Sequence, residues 1–135
     1  MNDARILFVD HTSALGGAEL YLLDAVQAFG DSATVLLFED GPLRERLDDA
    51  AVRCEVVPAP ESFLSVRKSS GLAAALRAIP GMGALIRTVA HRARAHDLVV
   101  ANSQKSLLAA GPAARWVGRP CVWTLHDLLT ADHFS

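Results

Sequence analysis

The residues best able to do chemistry in this 135-residue chain stand in four polar clusters, each directly after an apolar run. Asp10, His11 and Ser13, then Gly16 and Gly17, follow RILFV; Glu39, Asp40 and Gly41 follow TVLLF; Asn102, Ser103, Gln104 and Lys105 follow LVVA; His126 and Asp127 follow CVWTL. His126 is the strongest single candidate. An imidazole at the tip of an apolar run can hydrogen-bond a hydroxyl or move a proton; a ring satisfied by nearby backbone is the plainer alternative. His11 occupies the equivalent place after the first run and is expected to line the same cleft. His126, Asp127, Asp132 and His133 include metal-ligand types, but a metal needs convergent geometry that this tail does not guarantee, and no metal is assigned.

Two adjacent glycines, Gly16 and Gly17, precede Ala18 and Glu19 where the first apolar run gives way to the amphipathic run AELYLLDAVQAF. Glycines there let the backbone turn tightly and leave peptide N–H groups open to an anion at a helix N-terminus; supplying the turn alone is an equal alternative. A β-branched residue at Gly17 is expected to clash with a positive φ and to fill the cleft. Glu19 suits the first turn of a helix and is expected to brace the loop, since its charge repels a phosphate placed close by. Named nucleotide motifs are missing. GGAELY at 16–21 is not GxGxxG, no GxxxxGK(S/T) loop occurs, and there is no GxSxG elbow. RILFVD is similar to the opening strand of response-regulator receivers, but the third apolar run ends in VVPAP with no Asp to phosphorylate, and that reading is rejected.

The elements that must position these residues alternate in type. Apolar runs at 4–10, 33–39, 53–58, 97–102 and 120–127 read as strands, the first nearly continuous and so buried on both faces. Between them, 18–29 carries Leu22, Ala25, Val26 and Phe29 at helical spacing, and Pro42 starts a short helix reaching about Ala51. Residues 58–71 are rich in Pro, Ser and Gly and read as a loop. Residues 71–95 read as helix broken into two pieces at Pro80-Gly81, and Gly111-Pro112 interrupts the helix that follows 102. Strands alternating with helices of this length predict an α/β fold: a Rossmann-like, doubly wound parallel sheet in the order 3-2-1-4-5, one domain over 1–135. Ligands of such sheets bind beyond the carboxyl ends of the strands, where all four polar clusters fall.

Composition and charge narrow the classes. About half the residues are apolar and 21% are charged, as in ordinary globular proteins. No apolar run approaches the roughly 20 residues of a membrane helix, and the N-terminus lacks the features of a signal peptide, so a cytoplasmic location is expected. Cys54 and Cys121 lie in apolar runs with no CxxC and read as buried thiols. Net charge is −2, but residues 1–61 hold 12 acids and 4 bases while 62–135 hold 9 bases and 3 acids. From Arg67 to Arg94 there are six bases and no acid, which reads either as a solvated helix face or as a surface for anionic headgroups or ligands.

Taken together, RILFVD, the GGAE loop at 16–19, VVANS at 99–103 and WTLHD at 123–127 resemble the amino-terminal half of a family 4 glycosyltransferase of GT-B fold, from about Arg5 to the end. GGAE before a helix is the most specific of these. The resemblance implies the acceptor-side half of a retaining transferase that uses a nucleotide sugar as co-substrate and needs no resident cofactor. It implies that Gly16 and Gly17 approach the donor diphosphate, that His126 contacts the transferred sugar, and that Asn102 and Ser103 line the acceptor side; by their place along the edge, His11, Ser13 and Asp127 are expected to line the same cleft. The donor-binding domain, with its Glu-x-x-x-x-x-x-x-Glu motif, is absent from the chain, so a truncated domain that is inactive alone is expected. Partners implied are a lipid-linked or cell-envelope acceptor, the missing domain in cis, and an anionic inner membrane face met by Arg67, Lys68, Arg77 and Arg87; no nucleic acid is expected. A stand-alone, non-catalytic Rossmann-like binding module is the alternative. A small hydrolase would need a nucleophile with a paired base, and none is found.

Overall fold

The structure, a computed structural model, describes residues 4–60 and 71–124, with side chains for all of these except 71–80. In chain order the elements are β1 (Ile6–Asp10), α1 (Gly17–Phe29), a 3-10 turn (Gly30–Ser32), β2 (Ala33–Leu37), α2 (Pro42–Asp49), β3 (Arg53–Val56), α3 (Gly71–Ala93), β4 (Leu98–Ala101), α4 (Gln104–Trp116) and β5 (Cys121–Trp123). The five strands form one sheet in the order β3-β2-β1-β4-β5, every neighbouring pair parallel. This is the expected doubly wound order, with the direction of winding reversing at β1 between β2 and β4.

Alternation along the central strands explains the continuous apolar runs. Leu7 and Val9 face one side with Leu36, Phe38, Val99 and Ala101, against Leu85 and Val89 of α3 and the alanines of α4. Ile6 and Phe8 face the other side with Val35, Leu37 and Val100, against Leu22 and Val26 of α1 and Leu43 and Leu47 of α2. Two covered faces leave no position on β1 for a solvated side chain, and all five of its residues are buried.

Two helix boundaries differ from the sequence expectation. α3 runs unbroken through Pro80-Gly81, and α4 runs unbroken through Gly111-Pro112. A proline inside a helix removes one backbone bond and crowds the preceding turn, at a cost near 3 kcal/mol. In α4 that cost is outweighed because Ala109, Ala110, Ala113 and Ala114 are fully buried against the sheet while Pro112 is exposed, so the carbonyl it leaves behind can turn to water. In α3, Leu85, Val89, Ala90 and Ala93 anchor the helix to the same layer. Gly81 serves packing rather than breaking: a Cβ there would collide with the Pro60 ring. Gly83 on the same helix has open space around it. Gly83→Ala is therefore expected to stabilise the fold by about 0.7 kcal/mol through helix propensity, while Gly81→Ala costs about 1 kcal/mol because overpacking against a rigid ring exceeds that gain; urea unfolding midpoints of the two variants check the opposite signs.

Cys54 on β3 and Cys121 on β5 are free thiols, both pushed up by burial, Cys54 to about 11 with help from the nearby Asp48 charge. They stand on opposite edge strands, about 19 Å apart at the usual strand spacing, so no disulfide can join them.

Candidate functional site

Parallel register brings residues 92 positions apart side by side. Val9 pairs with Ala101, so Asp10 and Asn102, one step beyond, sit together at the carboxyl ends of β1 and β4, the switch point of the sheet. Both are buried. Asn102 Nδ2 donates to Asp10 Oδ2 at 2.8 Å and to the Ala18 carbonyl of α1 at 3.1 Å, and Asn102 Oδ1 accepts from Thr124 Oγ1 at 3.1 Å. One amide thereby ties β1, β4, α1 and the end of β5 together. No buried side-chain polar atom is left unpaired among the described residues, as a low-dielectric network requires.

Glu19, at the third position of α1, is also buried and hydrogen-bonds Asp10. Burial pushes its carboxyl up, and the hydrogen bond and charge of Asp10 add to the effect, bringing it to about 7. Burial pushes Asp10 up as well, but hydrogen bonds from His11, Glu19 and Asn102 outweigh it and hold Asp10 below its ordinary value. Glu19 thus keeps the proton and Asp10 the charge. Gly16 makes room for this pair, since a Cβ there would meet Glu19 Oε1 at 2.8 Å.

A pH dependence follows from the raised Glu19 carboxyl. Between its ordinary value of 4.5 and its folded value of about 7, the unfolded chain releases a proton that the folded chain keeps, so stability falls as pH rises through that window. Glu19→Gln keeps an N–H donor toward Asp10 and removes the titration. It is expected to exceed the parent in stability by about 2 kcal/mol above pH 7 and to show no gain near pH 4.5. Thermal unfolding of both proteins across this range is the check; parallel curves would refute the pairing. Asp10 acts oppositely, its contribution lost only as pH falls below its ordinary 3.8.

The rest of the loop after β1 is fastened to the loop after β2. Thr12 Oγ1 donates to Glu39 Oε2 at 2.7 Å, and the Ser13 amide reaches the same oxygen at 3.3 Å. Buried Ser13 accepts from the Arg44 amide at its Oγ (3.0 Å) and from the Leu43 amide at its carbonyl (2.7 Å), capping the start of α2. Gly41 permits that approach, as a Cβ there would lie 3.0 Å from Ser13 Cβ.

On the β4 side, Ser103 caps α4. Its Oγ accepts from the Ser106 amide at 3.1 Å, and Ser106 Oγ accepts from the Ser103 amide at 3.1 Å, a reciprocal box. Ser103 Oγ also lies 2.7 Å from His11 Nδ1, across the switch point.

Of the sequence-predicted site residues, the structure gathers His11, Ser13, Gly16, Gly17, Glu19, Asn102 and Ser103 at one edge. Ser13 and Asn102 do not line a cleft: both side chains are buried and committed to protein groups, so they hold the loops from beneath. Gly17 begins α1 without a positive φ and has open space around it, contrary to the strained turn expected there. Arg87 is exposed on α3. His126 and Asp127, and with them Asp132, His133, Arg67 and Lys68, lie outside the described residues, as does the side chain of Arg77. Within the basic run, Arg92 is not merely solvated but grips Glu55 of β3 through two bonds of 2.6 Å. Sequence reasoning left out the contributions of Thr12, Ser106 and Thr124 and named Glu39 only as one of a polar cluster; Ser103-x-x-Ser106 is the one local signal, a hydroxyl variant of the capping-box spacing. Among the described residues no group of three metal-ligand side chains converges, and no helix is long and apolar enough to cross a membrane.

Comparison with known proteins adds the following. A family model described as glycosyl transferase 4-like domain matches residues 16–135. HepE of Anabaena, in a crystal structure with UDP and glucose, is 35% identical with a TM-score of 0.70 over 98% of this chain and 32% of its own. HepE in complex with UDP-glucose gives 32% identity, the same TM-score and the same coverage. MurG of Acinetobacter baumannii, at 18% identity and a TM-score of 0.58, covers 89% of this chain and 34% of its own, and shows the shared fold alone. This chain therefore spans about a third of the length of these solved relatives. No curated protein matches it.

Proposed function

The chain belongs to the glycosyl transferase 4-like family, and from that premise we propose that it forms the acceptor-side half of a GT-B transferase that moves a sugar from a nucleotide-sugar donor with retention of configuration. The observation carrying this reading is the edge itself. A buried polar plug of Asp10, Asn102 and Glu19 holds the start of α1 rigidly at the switch point, while Gly17 faces open space. The open space at Gly17 leaves room for a diphosphate at the helix N-terminus, where the dipole favours an anion. Glu19, protonated and turned toward Asp10, removes the charge that would oppose that approach. The similarity to HepE bound to UDP and to UDP-glucose supports a nucleotide-sugar donor.

In this reading Gly16 and Gly17 meet the diphosphate, His126 contacts the donor sugar, and His11, Ser103 and Asp127 face the acceptor, with the donor domain supplied by the remainder of the enzyme. Arg67, Lys68, Arg77 and Arg87 dock an anionic membrane face that carries a lipid-linked or cell-envelope acceptor. Recovery on anionic but not on neutral liposomes in flotation is the result expected; equal recovery on both removes the membrane docking.

Gly17→Ala tests the glycine loop in the enzyme that contains this chain. With space for the methyl and no positive φ, the variant is expected to keep or slightly raise its unfolding midpoint while its affinity for UDP falls by about tenfold, one lost hydrogen-bond equivalent. Calorimetric titration with UDP reads the second quantity. Unchanged affinity overturns the diphosphate role, and failure of the parent to bind UDP or UDP-glucose at all favours the non-catalytic module.

A further inference from the structure

His11 and Ser103 bridge the two strands at the switch point, and the hydrogens around them can be accounted for one by one. Ser106 Oγ donates its only hydrogen to the Ser103 carbonyl at 2.9 Å. Ser103 Oγ in turn donates its only hydrogen to Ser106 Oγ at 2.9 Å, and it accepts from the Ser106 amide at 3.1 Å. With its hydrogen on Ser106 Oγ, the hydroxyl that stands 2.7 Å from His11 Nδ1 has a lone pair left to offer there. The second neighbour of Nδ1 is Asp10 Oδ1 at 3.4 Å, a carboxylate that offers only lone pairs. A bare Nδ1 would face the Asp10 carboxylate, and His11 hydrogen-bonds Asp10, so this arrangement favours the hydrogen on Nδ1. In neutral imidazole the other nitrogen is then bare. His11 Nε2 meets no described group, and the His11 side chain remains 29% exposed at the edge where ligands of this fold bind.

We propose that His11 presents Nε2 as a hydrogen-bond acceptor to a hydroxyl of the acceptor substrate, with Ser103 as the positioning residue that fixes this tautomer. The class of ligand follows from the sign of the group. A bare ring nitrogen accepts an O–H from a sugar or polyol and repels a phosphate oxygen, which has no hydrogen to give. The switch point is thus divided: the N-terminus of α1 suits an anion and His11 suits an alcohol. The identity of that alcohol as an acceptor substrate rests on the transferase reading above; the tautomer does not.

The closing experiment has two readouts. Long-range proton–nitrogen correlation on 15N-histidine-labelled protein in mildly alkaline buffer, with the His11 signals identified by their loss in His11→Gln, is expected to show Nδ1 protonated and Nε2 bare. Free neutral imidazole side chains favour the opposite tautomer, so this result requires the Ser103 and Asp10 contacts, and Ser103→Ala is expected to lower the Nδ1–H fraction. In transfer assays, Ser103→Ala and His11→Asn are expected to raise the acceptor KM by about tenfold, one hydrogen bond's worth, while kcat and the donor KM change less than about twofold. His11→Gln, which places a carboxamide oxygen near the Nε2 position, is expected to recover most of the loss. A wild-type His11 protonated on Nε2 overturns the positioning by Ser103 whatever the enzyme does. The expected tautomer with an unchanged acceptor KM in His11→Asn overturns the hydroxyl contact alone. Absence of any transfer by the parent defeats the transferase reading and the hydroxyl contact with it, leaving the tautomer to stand or fall on its spectrum.

Discussion

Asp10→Ala is expected to lower folding stability by about 4 kcal/mol, the largest single loss at this edge. The aspartate is fully buried and receives Asn102 Nδ2, the hydrogen bond of Glu19 and, more weakly, the Thr12 amide at 3.4 Å, with His11 alongside. Truncation leaves a buried carboxyl and one amide hydrogen of Asn102 without an acceptor, and each orphaned group costs about 1–3 kcal/mol. Asp10→Asn retains one accepting oxygen and the side-chain volume, so about half the loss is expected. Chemical denaturation of the two variants beside the parent reads the difference. A loss below about 1 kcal/mol for Asp10→Ala would mean that water enters and replaces the carboxylate, and the network would not then be the anchor of the β1 loop.

The second large effect concerns transfer. In the enzyme containing this chain, His126→Ala is expected to lower kcat/KM by about 100-fold, close to 3 kcal/mol of transition-state stabilisation, the upper range for one hydrogen bond to a charged or polarised group. Folding is expected to be nearly unchanged. The described end of the fifth strand is fixed without it: the Thr124 amide donates to the Ala101 carbonyl at 3.0 Å and the Thr124 hydroxyl to Asn102. His126 follows Thr124 by two residues, beyond the last ladder bond described. Steady-state kinetics against both substrates and a melting curve within about 2 °C of the parent are the paired results; unchanged turnover would remove His126 from the site.

The fold was legible in the sequence wherever a rule of period or order applied. Alternating β and α runs dictated a parallel sheet and its winding, and the strand order 3-2-1-4-5 is the one found. Local rules misjudged α3 and α4, because a proline's penalty is fixed by the dipeptide while its compensation comes from alanine and leucine packing against distant strands. The site divides along the same line. Position along the edge was readable for His11, Ser13, Asn102 and Ser103, but orientation was not. Whether Asn102 faces a cleft or a carboxylate depends on what β1 brings to it from 92 residues away. Glu19 stood out through its place in a helix's first turn, whereas its partner Asp10 looked like one more polar residue after a strand. That pair is buried only once α1 packs over the end of β1, where Asn102 ties Asp10 to the Ala18 carbonyl.

The amide of Asn102 has a consequence for the order in which the chain becomes native. Residues 6–56 contain three strands and two helices and most of one apolar layer, which Val100 of β4 completes, yet their Asp10 charge has its buried amide partner only after residue 102 has been synthesised. A nascent chain that stops short of β4 therefore holds an ionised group with Glu19, His11 and the Thr12 amide but without Asn102, which opposes full closure of the layer around it. The long-range pairing of β1 with β4, with its loop-closure entropy, becomes the gate through which the first half must pass. Amide exchange would then report β1, β2 and β4 opening as one cooperative unit, with no protected amino-terminal intermediate ahead of it.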